Sequence, residues 1–387
     1  MFLHLEESGR PRVRPNMKVR LEMSKDYSEL MNLSPNLPKG PRVATVIDQL
    51  GWQPFFAQQI SVDDLTSTPP VRVTQVHRSG FHVVGNDHDL MIPPLPDGTV
   101  GDWLLLNEAH PQSSRILERK SLFKRRAPGT DRRIQLIAAN IDTAFIVTSC
   151  NEDFNIARLE RYVAVAFEAG VDPVILLTKP DLCDAPDIYQ AQAGAISDRV
   201  PVILLDARAT EPAEKLGDWC RRGQSLAFLG SSGVGKSTLI NALSGTKTMA
   251  TSGIREDDAK GRHTTTHRHL HLLPNGCTVL DTPGMRELQM TDAASGIADV
   301  FADLSALAER CKFNDCGHDA EPGCAILDAI EAGEVDPKRL ARWKKLAAEE
   351  QFNSSSLAER RAQGKAFGKM IKSVKNRPQL IAKRSTD

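Results

Sequence analysis

The sequence predicts a multidomain α/β protein with three structured parts, and three observations carry the prediction. Residues 70–124 contain short alternating runs separated by turn signals, a pattern typical of a small N-terminal β-barrel. From about residue 130 to 296, continuous apolar runs alternate with helical segments, which indicates a mostly parallel sheet covered on both faces. Beyond residue 297 the pattern is α-helical around a cluster of cysteines, and a basic tail follows.

Length and composition support several domains. The 387 residues are 41% apolar and 25% charged, which is typical of a globular protein with enough apolar material for a core. We place a flexible basic arm with a short helix at 1–69, the barrel at 70–130, the parallel-sheet domain at 131–296 and the helical domain with its basic tail at 297–387.

Hydropathy, charge and cysteine usage exclude several classes of protein. No stretch approaches the ~18 apolar residues of a membrane span, and the acidic N-terminus does not resemble a signal peptide. We therefore expect a cytoplasmic protein without a membrane partner. The formal net charge is zero, so a basic binding surface has to be sought locally. Four scattered cysteines are expected to be free thiols in a reducing compartment: Cys150, Cys183, Cys220 and Cys277.

Secondary structure follows from the periodicity of apolar residues. A short amphipathic helix is predicted over 47–60, with Leu50, Trp52, Phe55 and Phe56 on its apolar side. The predicted barrel strands are 71–76, 81–84, 90–92, 103–106 and 116–124. They fit an OB-fold, and an SH3-like barrel is the alternative. The predicted strands of the parallel sheet are 144–148, 174–177, 202–205, 226–229 and 278–280, with a helix at 157–169.

One loop matches the phosphate-binding pattern G-x-x-x-x-G-K-[ST] without exception. It follows the strand predicted at 226–229 and precedes a helix predicted at 239–243, the context that this motif requires. Lys236 is expected to bridge the β- and γ-phosphates and Ser237 to bind Mg²⁺. A glycine-rich turn that matches by chance is the alternative. The predicted nucleotide contacts here are Gly230, Ser231, Ser232, Gly233, Val234, Gly235, Lys236, Ser237 and Thr238.

A second loop, formed by Thr178, Lys179, Pro180 and Asp181, directly follows the strand predicted at 174–177. The Asp181 carboxylate can accept hydrogen bonds from N1–H and from the exocyclic amine of guanine, a donor pair that adenine lacks. Lys179 is expected to lie over the base, and Thr178 to brace the loops. This loop precedes the phosphate loop by roughly fifty residues, the reverse of the order in ordinary GTPases. The sequence therefore predicts a circularly permuted GTPase domain.

The segments that sense the γ-phosphate are predicted around two further motifs. Asp281 is expected to hold Mg²⁺ through water, and the Gly284 N–H to contact the γ-phosphate. Met285 follows, where many GTPases carry a glutamine that orients water, so hydrolysis needs a polar group from elsewhere. Two residues of the first switch are the candidates: Thr265 to reach Mg²⁺ and His263 to position or deprotonate water.

The histidines of this region have alternative interpretations. His263 is as compatible with a contact to RNA or solvent as with catalysis. Three further histidines, which alternate along a predicted strand, are expected at the surface and without a metal: His267, His269 and His271.

A cluster of sulfur and imidazole ligands lies near the C-terminus, formed by Cys311, Cys316, His318 and Cys324. Three thiolates and one imidazole predict a single, structural Zn²⁺ ion in four-coordinate geometry. A redox pair or buried free thiols is the alternative.

Basic residues dominate the chain after residue 338, where they include Arg339, Arg342, Lys344 and Lys345 on a predicted helix. A solvated helix face is one interpretation. A basic tail, a basic arm and an OB-fold together favour RNA as a partner.

These motifs, in this order, resemble those of the circularly permuted, small-ribosomal-subunit-dependent GTPase A (RsgA/YjeQ) family of bacterial ribosome-assembly factors. The resemblance spans about residues 70–345 and rests on 135–142, 178–181, 230–238, 261–266, 281–284 and the Cys₃His cluster. It implies an N-terminal OB-fold, a permuted GTPase domain and a C-terminal zinc domain whose ligands are the Cys₃His residues. It also implies His263 as the catalytic histidine. One departure is Asp206-Ala207, where the family usually has Ser-Ala to complete the guanine pocket.

The resemblance further implies a monomer that binds the 30S ribosomal subunit and its rRNA late in maturation, uses GTP with Mg²⁺, and releases GDP. The leading hypothesis is that subunit-stimulated hydrolysis times release from the subunit. A nucleotide-gated rRNA-binding module with little hydrolysis is the first alternative, because Met285 replaces the usual glutamine. A P-loop kinase or ATPase is the second, and the base-reading loop argues against it.

Overall fold

The computed structural model of the chain describes residues 44–126, 134–209, 211–245, 268–281 and 293–354. From Thr45 onward they belong to one compact unit. Within these ranges, no helix combines the length and hydropathy needed to cross a membrane. All the cysteines in them are free thiols, as predicted for the four scattered ones.

The N-terminal helical segment forms three short helices rather than the single helix predicted over 47–60. They are α1 (Val46–Gln49), α2 (Pro54–Ala57) and α3 (Val62–Ser67). The single helix is broken because Gly51 has φ +89° and Pro54 starts a new helix. Leu50 and Phe56 are buried as expected, and the ring of Trp52 packs edge-on against Trp103 at 4.8 Å. The helices thereby cover one face of the barrel.

The barrel strands are β1 (Pro70–His77), β2 (Gly80–Val84), β3 (Asp89–Ile92), β4 (Trp103–Leu105) and β5 (Arg115–Ile116). Their antiparallel order is β3-β2-β1-β4-β5. Alternate residues of β1, Val71 and Val73, enter a core with Phe81, Val83 and Leu104. The predicted fold class, a small N-terminal barrel before an α/β domain, is therefore confirmed.

The prediction of a last barrel strand over 116–124 is wrong. The segment divides into β5 and a separate strand, β6 (Leu122–Arg126), which pairs with β7 (Ile134–Ala139) in a two-stranded sheet. The physical reason lies in packing: Leu117 joins the apolar cluster of the N-terminal helices, whereas Phe123 joins the core of the parallel-sheet domain. A single straight strand over 116–124 cannot place Leu117 in one core and Phe123 in the other.

The central sheet contains β8 (Thr143–Ser149), β9 (Asp172–Thr178), β10 (Val202–Leu204), β11 (Ser225–Leu229), β12 (Arg268–Leu272) and β13 (Thr278–Asp281). Their order is β10-β9-β8-β11-β13-β12, parallel except for β12. Successive β8 residues enter opposite cores, since Ile146 belongs to one apolar cluster and Phe145 to another. This confirms the prediction of a sheet buried on both faces. The helices of this domain are α4 (Ile156–Glu168), α5 (Pro186–Gly194), α6 (Glu211–Lys215) and α7 (Lys236–Ser244).

The barrel and the central sheet are joined by a strand pairing and by one buried arginine. Strand β1 pairs with β12, with Gln75 opposite His269. The fully buried Arg72 guanidinium donates to Gly101 O at 3.2 Å, Asn140 O at 2.9 Å, Ser225 Oγ at 2.8 Å and also Leu50 O. Burial lowers the pKa of Arg72 to about 10. This side chain therefore ties the N-terminal helices, the barrel and the central sheet together.

The C-terminal helices are α8 (Ala294–Val300), α9 (Ala302–Ala308), α10 (Ala325–Glu331) and α11 (Pro337–Ser354). They pack on α4, where Gly296 lies so close to Ala164 that an added Cβ would be 2.0 Å from its carbonyl oxygen. The buried Glu160 carboxylate of α4 accepts from Arg342 Nε at 2.8 Å, and Arg339 Nη1 lies 3.7 Å away. Ion pairs thus secure this second junction.

Candidate functional site

The phosphate loop lies between β11 and α7, as its motif predicts. Gly230 has φ +137°, and an added Cβ would be 2.1 Å from Val147 O, so glycine is required there. The buried Val234 anchors the loop in the core. Lys236 Nζ donates to Gly230 O at 2.9 Å and also to Ser231 O, which places the ammonium across the loop. Ser237 and Thr238 follow in the first turn of α7, where a helix N-terminus favours an anion.

The base-reading loop contacts the phosphate loop directly. Thr178 ends β9 and is fully buried, and its hydroxyl donates to Val234 O at 2.7 Å. Lys179 has a left-handed backbone with φ +57°, and its Nζ donates to Gly233 O at 2.8 Å. Pro180 and Asp181 then start a short 3₁₀ turn. Two motifs roughly fifty residues apart in sequence are therefore joined by side chain-to-backbone hydrogen bonds.

A third loop, after β10, completes the same edge of the sheet. Ala207 is buried beside the phosphate loop, where a Cβ added at Gly235 would be 3.6 Å from the Ala207 Cβ. Asp206 and Ala207 thus occupy the position expected from the resemblance. Arg208 was missed by sequence reasoning, although a cation beside an acid in this loop is the signal that could have found it. Its Nη2 lies 2.7 Å from Asp181 Oδ2.

Of the predicted residues that sense the γ-phosphate and Mg²⁺ beyond the phosphate loop, Asp281 is the one that the described part of the chain includes. His263, Thr265, Gly284 and Met285 lie outside the described residues. Asp281 is the last residue of β13, which runs parallel to β11 with Leu280 opposite Ala227. The end of β13 therefore lies beside the strand that leads into the phosphate loop.

The strand histidines expected at the surface are only partly exposed where the structure describes them. His269 and His271 of β12 are both half-buried, and their ring centroids are 3.7 Å apart. Burial, followed by the neighbouring His271, lowers the pKa of His269 to about 4. Strand β12 is covered because it pairs with the barrel. His267 lies outside the described residues.

The Cys₃His cluster is assembled in the structure. Cys324 Sγ lies 3.9 Å from Cys311 Sγ and 3.4 Å from His318 Nδ1, and all four ligand atoms, Cys316 included, are within 4.8 Å of one another. Zinc–sulfur and zinc–nitrogen bonds of normal length place tetrahedral ligands ~3.5–3.8 Å apart. The donor set and its spacing therefore fit a four-coordinate zinc ion.

The loop that carries these ligands is braced by charged side chains. The Glu321 carboxylate accepts from the N–H groups of Gly317, Asp319 and Ala320, and these hydrogen bonds lower its pKa to about 2. Lys344 Nζ donates to His318 O at 2.9 Å. Desolvation, followed by the nearby Lys344, lowers the pKa of His318, which favours the neutral imidazole that a metal requires.

The cationic face predicted on the C-terminal helix is largely used inside the molecule. Arg339 binds Asp303, Arg342 binds Glu160, and Lys344 binds Asp319 and the His318 carbonyl in the loop of the Cys₃His cluster. Arg339 and Arg342 are therefore bound largely within the protein rather than forming a solvated face, and the prediction of RNA binding by this helix stays a prediction. Lys345 is exposed.

Comparisons with known proteins agree with this geometry. The sequence profile of the RsgA GTPase family matches residues 116–291. A protein from Vibrio parahaemolyticus named small ribosomal subunit biogenesis GTPase RsgA 2 is 49% identical over 331 residues, covering 85% of this chain and 92% of the relative. Its RsgA counterpart in Mesorhizobium japonicum is 49% identical over 314 residues, covering 79% and 90%.

Two solved structures share the fold. The crystal structure of YjeQ from Thermotoga maritima aligns with a TM-score of 0.54 and 23% identity, covering 72% of this chain and 97% of that one. The structure of YloQ, described as a circularly permuted GTPase, aligns with a TM-score of 0.52 and 21% identity, covering 75% and 97%.

Proposed function

The chain belongs to the RsgA GTPase family, and from that premise we propose that it hydrolyses GTP during late maturation of the small ribosomal subunit. One observation carries the nucleotide half of the proposal: the base-reading and phosphate loops touch through Thr178 and Lys179. The relatives' names, which specify small ribosomal subunit biogenesis, support the other half.

We propose that recognition of GTP is divided among the three loops at the ends of β9, β10 and β11. Asp181 would accept from guanine, and Lys179 would cover the base while remaining close to the phosphate loop. The backbone N–H groups of 230–238 and the Lys236 ammonium would hold the phosphates. Lys236 would exchange its present carbonyl partners for phosphate oxygens, which are stronger acceptors for a cation.

The metal sites follow from the same assignment. Ser237 and Asp281 would hold Mg²⁺ with GTP, and this ion would neutralise charge on the phosphates. Thr265 would join them, Gly284 would contact the γ-phosphate, and His263 would position the attacking water.

The C-terminal cluster has a separate, structural role in the proposal. Cys311, Cys316, His318 and Cys324 would bind one Zn²⁺ ion, and their short mutual distances support this assignment. The ion would brace the loop that leads into α10.

The proposed physiological cycle has the 30S subunit and its rRNA as partners, in the cytoplasm, with a monomeric protein. The subunit would stimulate hydrolysis, and the change from GTP to GDP would loosen binding. Hydrolysis would then time release from the maturing particle.

Phosphate release measured with and without purified 30S subunits tests this function. Stimulation by the subunit that is lost in His263→Ala, with GTP affinity retained, is the expected result. Absence of stimulation in the wild-type protein contradicts it. GTP-dependent subunit binding without phosphate release would instead identify the nucleotide-gated binding module that Met285 favours.

A further inference from the structure

The base-reading side of the nucleotide site contains two carboxylates and one arginine. Arg208 Nη2 lies 2.7 Å from Asp181 Oδ2, and Arg208 Nε lies 3.5 Å from Asp206 Oδ1. The guanidinium therefore bridges the acid assigned to guanine and an acid in the adjacent loop.

Asp206 creates an electrostatic problem at this position. A carboxylate cannot donate a hydrogen bond to the Asp181 carboxylate, and the two like charges in adjacent loops repel each other. Arg208 supplies the donor and the compensating charge. The hydrogen bond and charge of Asp181, followed by the charge of Asp206, raise the pKa of Arg208.

Asp206 also determines where the arginine points. Its Oδ1 accepts from the Arg208 backbone N–H at 2.9 Å, and the Ala209 N–H donates to Asp206 O at 3.2 Å. These contacts form a local turn of the kind that aspartate favours. The turn projects the guanidinium from the β10 loop toward the base-reading loop.

The arginine contact is compatible with a bound base. An ionised carboxylate offers about four acceptor positions. Arg208 uses a position on one oxygen, Oδ2, and guanine requires two. The carboxylate can therefore hold the arginine and the base together.

We propose that Arg208 is a positioning residue for guanine recognition, which holds the Asp181 carboxylate in the orientation that accepts both base donors and offsets the charge of Asp206. The proposal rests on the proposed function, because it assigns guanine to Asp181. It concerns a specificity contact that this chain forms with Arg208 and with Asp206, which stands where the family usually has the serine of its Ser-Ala pair.

The expected effect is moderate because the pair is accessible to solvent. The side chains of Arg208 and Asp181 are 67% and 39% exposed, and exposed ion pairs are screened by salt. Loss of the guanidinium should weaken GDP binding about two- to fivefold at low salt, and less at high salt.

The experiment compares GDP with inosine diphosphate, using the full chain. Inosine lacks the exocyclic amine, so it offers Asp181 one donor rather than two. Arg208→Ala should weaken GDP binding more than inosine diphosphate binding, so the ratio of the two affinities falls toward one. Arg208→Lys should restore part of the ratio. Adding Asp206→Asn to Arg208→Ala should reduce the loss, because the uncompensated charge is removed.

Arg221→Ala is the matched control, since Arg221 is 70% exposed and pairs with Asp218 away from the loop. It should leave both affinities unchanged. An unchanged GDP affinity in Arg208→Ala, tighter GDP binding, or an equal loss for both nucleotides would overturn the proposal. Failure of the proposed function is a distinct result, in which the wild-type protein shows no preference for GDP over ADP.

Discussion

The central domain contacts the barrel at one junction and the C-terminal helices at another, and the buried charges at the two junctions have opposite signs. On the barrel side, the buried Arg72 guanidinium is bound by neutral carbonyl and hydroxyl oxygens. On the C-terminal side, the buried Glu160 carboxylate is bound by the cations of Arg339 and Arg342. In each case a buried charge is retained because several hydrogen bonds surround it. Buried charge at a junction therefore requires a complete set of hydrogen-bonding partners. For Arg72 the oxygens that accept its hydrogen bonds are neutral, and the nearby charges of Asp142 and Asp102 also favour the ionised guanidinium.

The largest effect is expected on the C-terminal side, at the Cys₃His cluster and the zinc ion proposed for it. Structural zinc contributes an apparent ~10–16 kcal/mol in small zinc-dependent peptides. Chelation of the metal, or Cys324→Ser, should therefore expose the backbone of the Cys₃His loop and α10. Hydrogen–deuterium exchange should rise there and stay unchanged in β1 and β4. Equal protection with and without metal would show that the ion braces nothing.

The next effect concerns the barrel side. Arg72→Met removes the hydrogen bonds that Arg72 donates to three carbonyl oxygens and to Ser225 Oγ, and the free energy of unfolding should fall by about 3–5 kcal/mol. Urea unfolding measures the change, and faster exchange of the β1 amides would locate it. Arg115→Met is the control, because the Arg115 side chain is 51% exposed in its pair with Asp64. This substitution should lower the free energy of unfolding by less than about 1 kcal/mol. Equal effects of the two variants would contradict the assigned role of Arg72.

Glu160→Gln tests the C-terminal junction and should lower the free energy of unfolding by about 2–3 kcal/mol. Arg342 loses its charged partner, whereas Arg339 retains Asp303 at 2.8 Å, so the loss should be smaller than for Arg72→Met. Asp299→Asn removes a pair in which both side chains are more than 40% exposed, and it should leave stability nearly unchanged. A Glu160→Gln variant as stable as wild type would show that the attraction in these ion pairs only offsets the free energy of desolvating the charges.

The smallest effect is a pH dependence where β12 meets the barrel. The pKa of His269 is lowered to about 4 from an ordinary value of 6.5, so the folded protein favours the neutral ring. Its contribution to stability is full above pH ~6.5 and is lost as the pH falls toward 4, by on the order of 1 kcal/mol after allowance for solvent exposure. His269→Gln should flatten the urea-unfolding profile between these pH values. An identical slope in both proteins would contradict the shift.

Much of the fold and the candidate site could be predicted from local sequence. The glycines and Lys236 of the phosphate loop, the four residues of the base-reading loop and the Cys₃His spacing each express a local geometric requirement. The family resemblance inferred from them is confirmed by the comparisons. The assigned roles of individual site residues stay predictions.

The remaining features depend on partners that are distant in sequence. Arg72 alternates with Val71 and Val73, which on a strand suggests a solvated side chain until the N-terminal helices cover that face. Arg339 and Arg342 have the spacing of an exposed cationic face. Their partner Glu160 lies roughly 180 residues earlier, so the local sequence does not predict the ion pairs. The helix predicted over 47–60 was wrong because Gly51 and Pro54 outweighed the apolar periodicity.

The pairing of β1 with β12 connects the barrel to a strand between two predicted switch motifs. Strand β12 begins at Arg268, directly after the segment in which the first switch is predicted, and β13 leads from it to Asp281. A ligand bound to the barrel would therefore restrain β12 and β13, the strands next to which the nucleotide is expected to bind. Such coupling is reciprocal in binding affinity: by whatever factor GTP raises the affinity for RNA, RNA must raise the affinity for GTP.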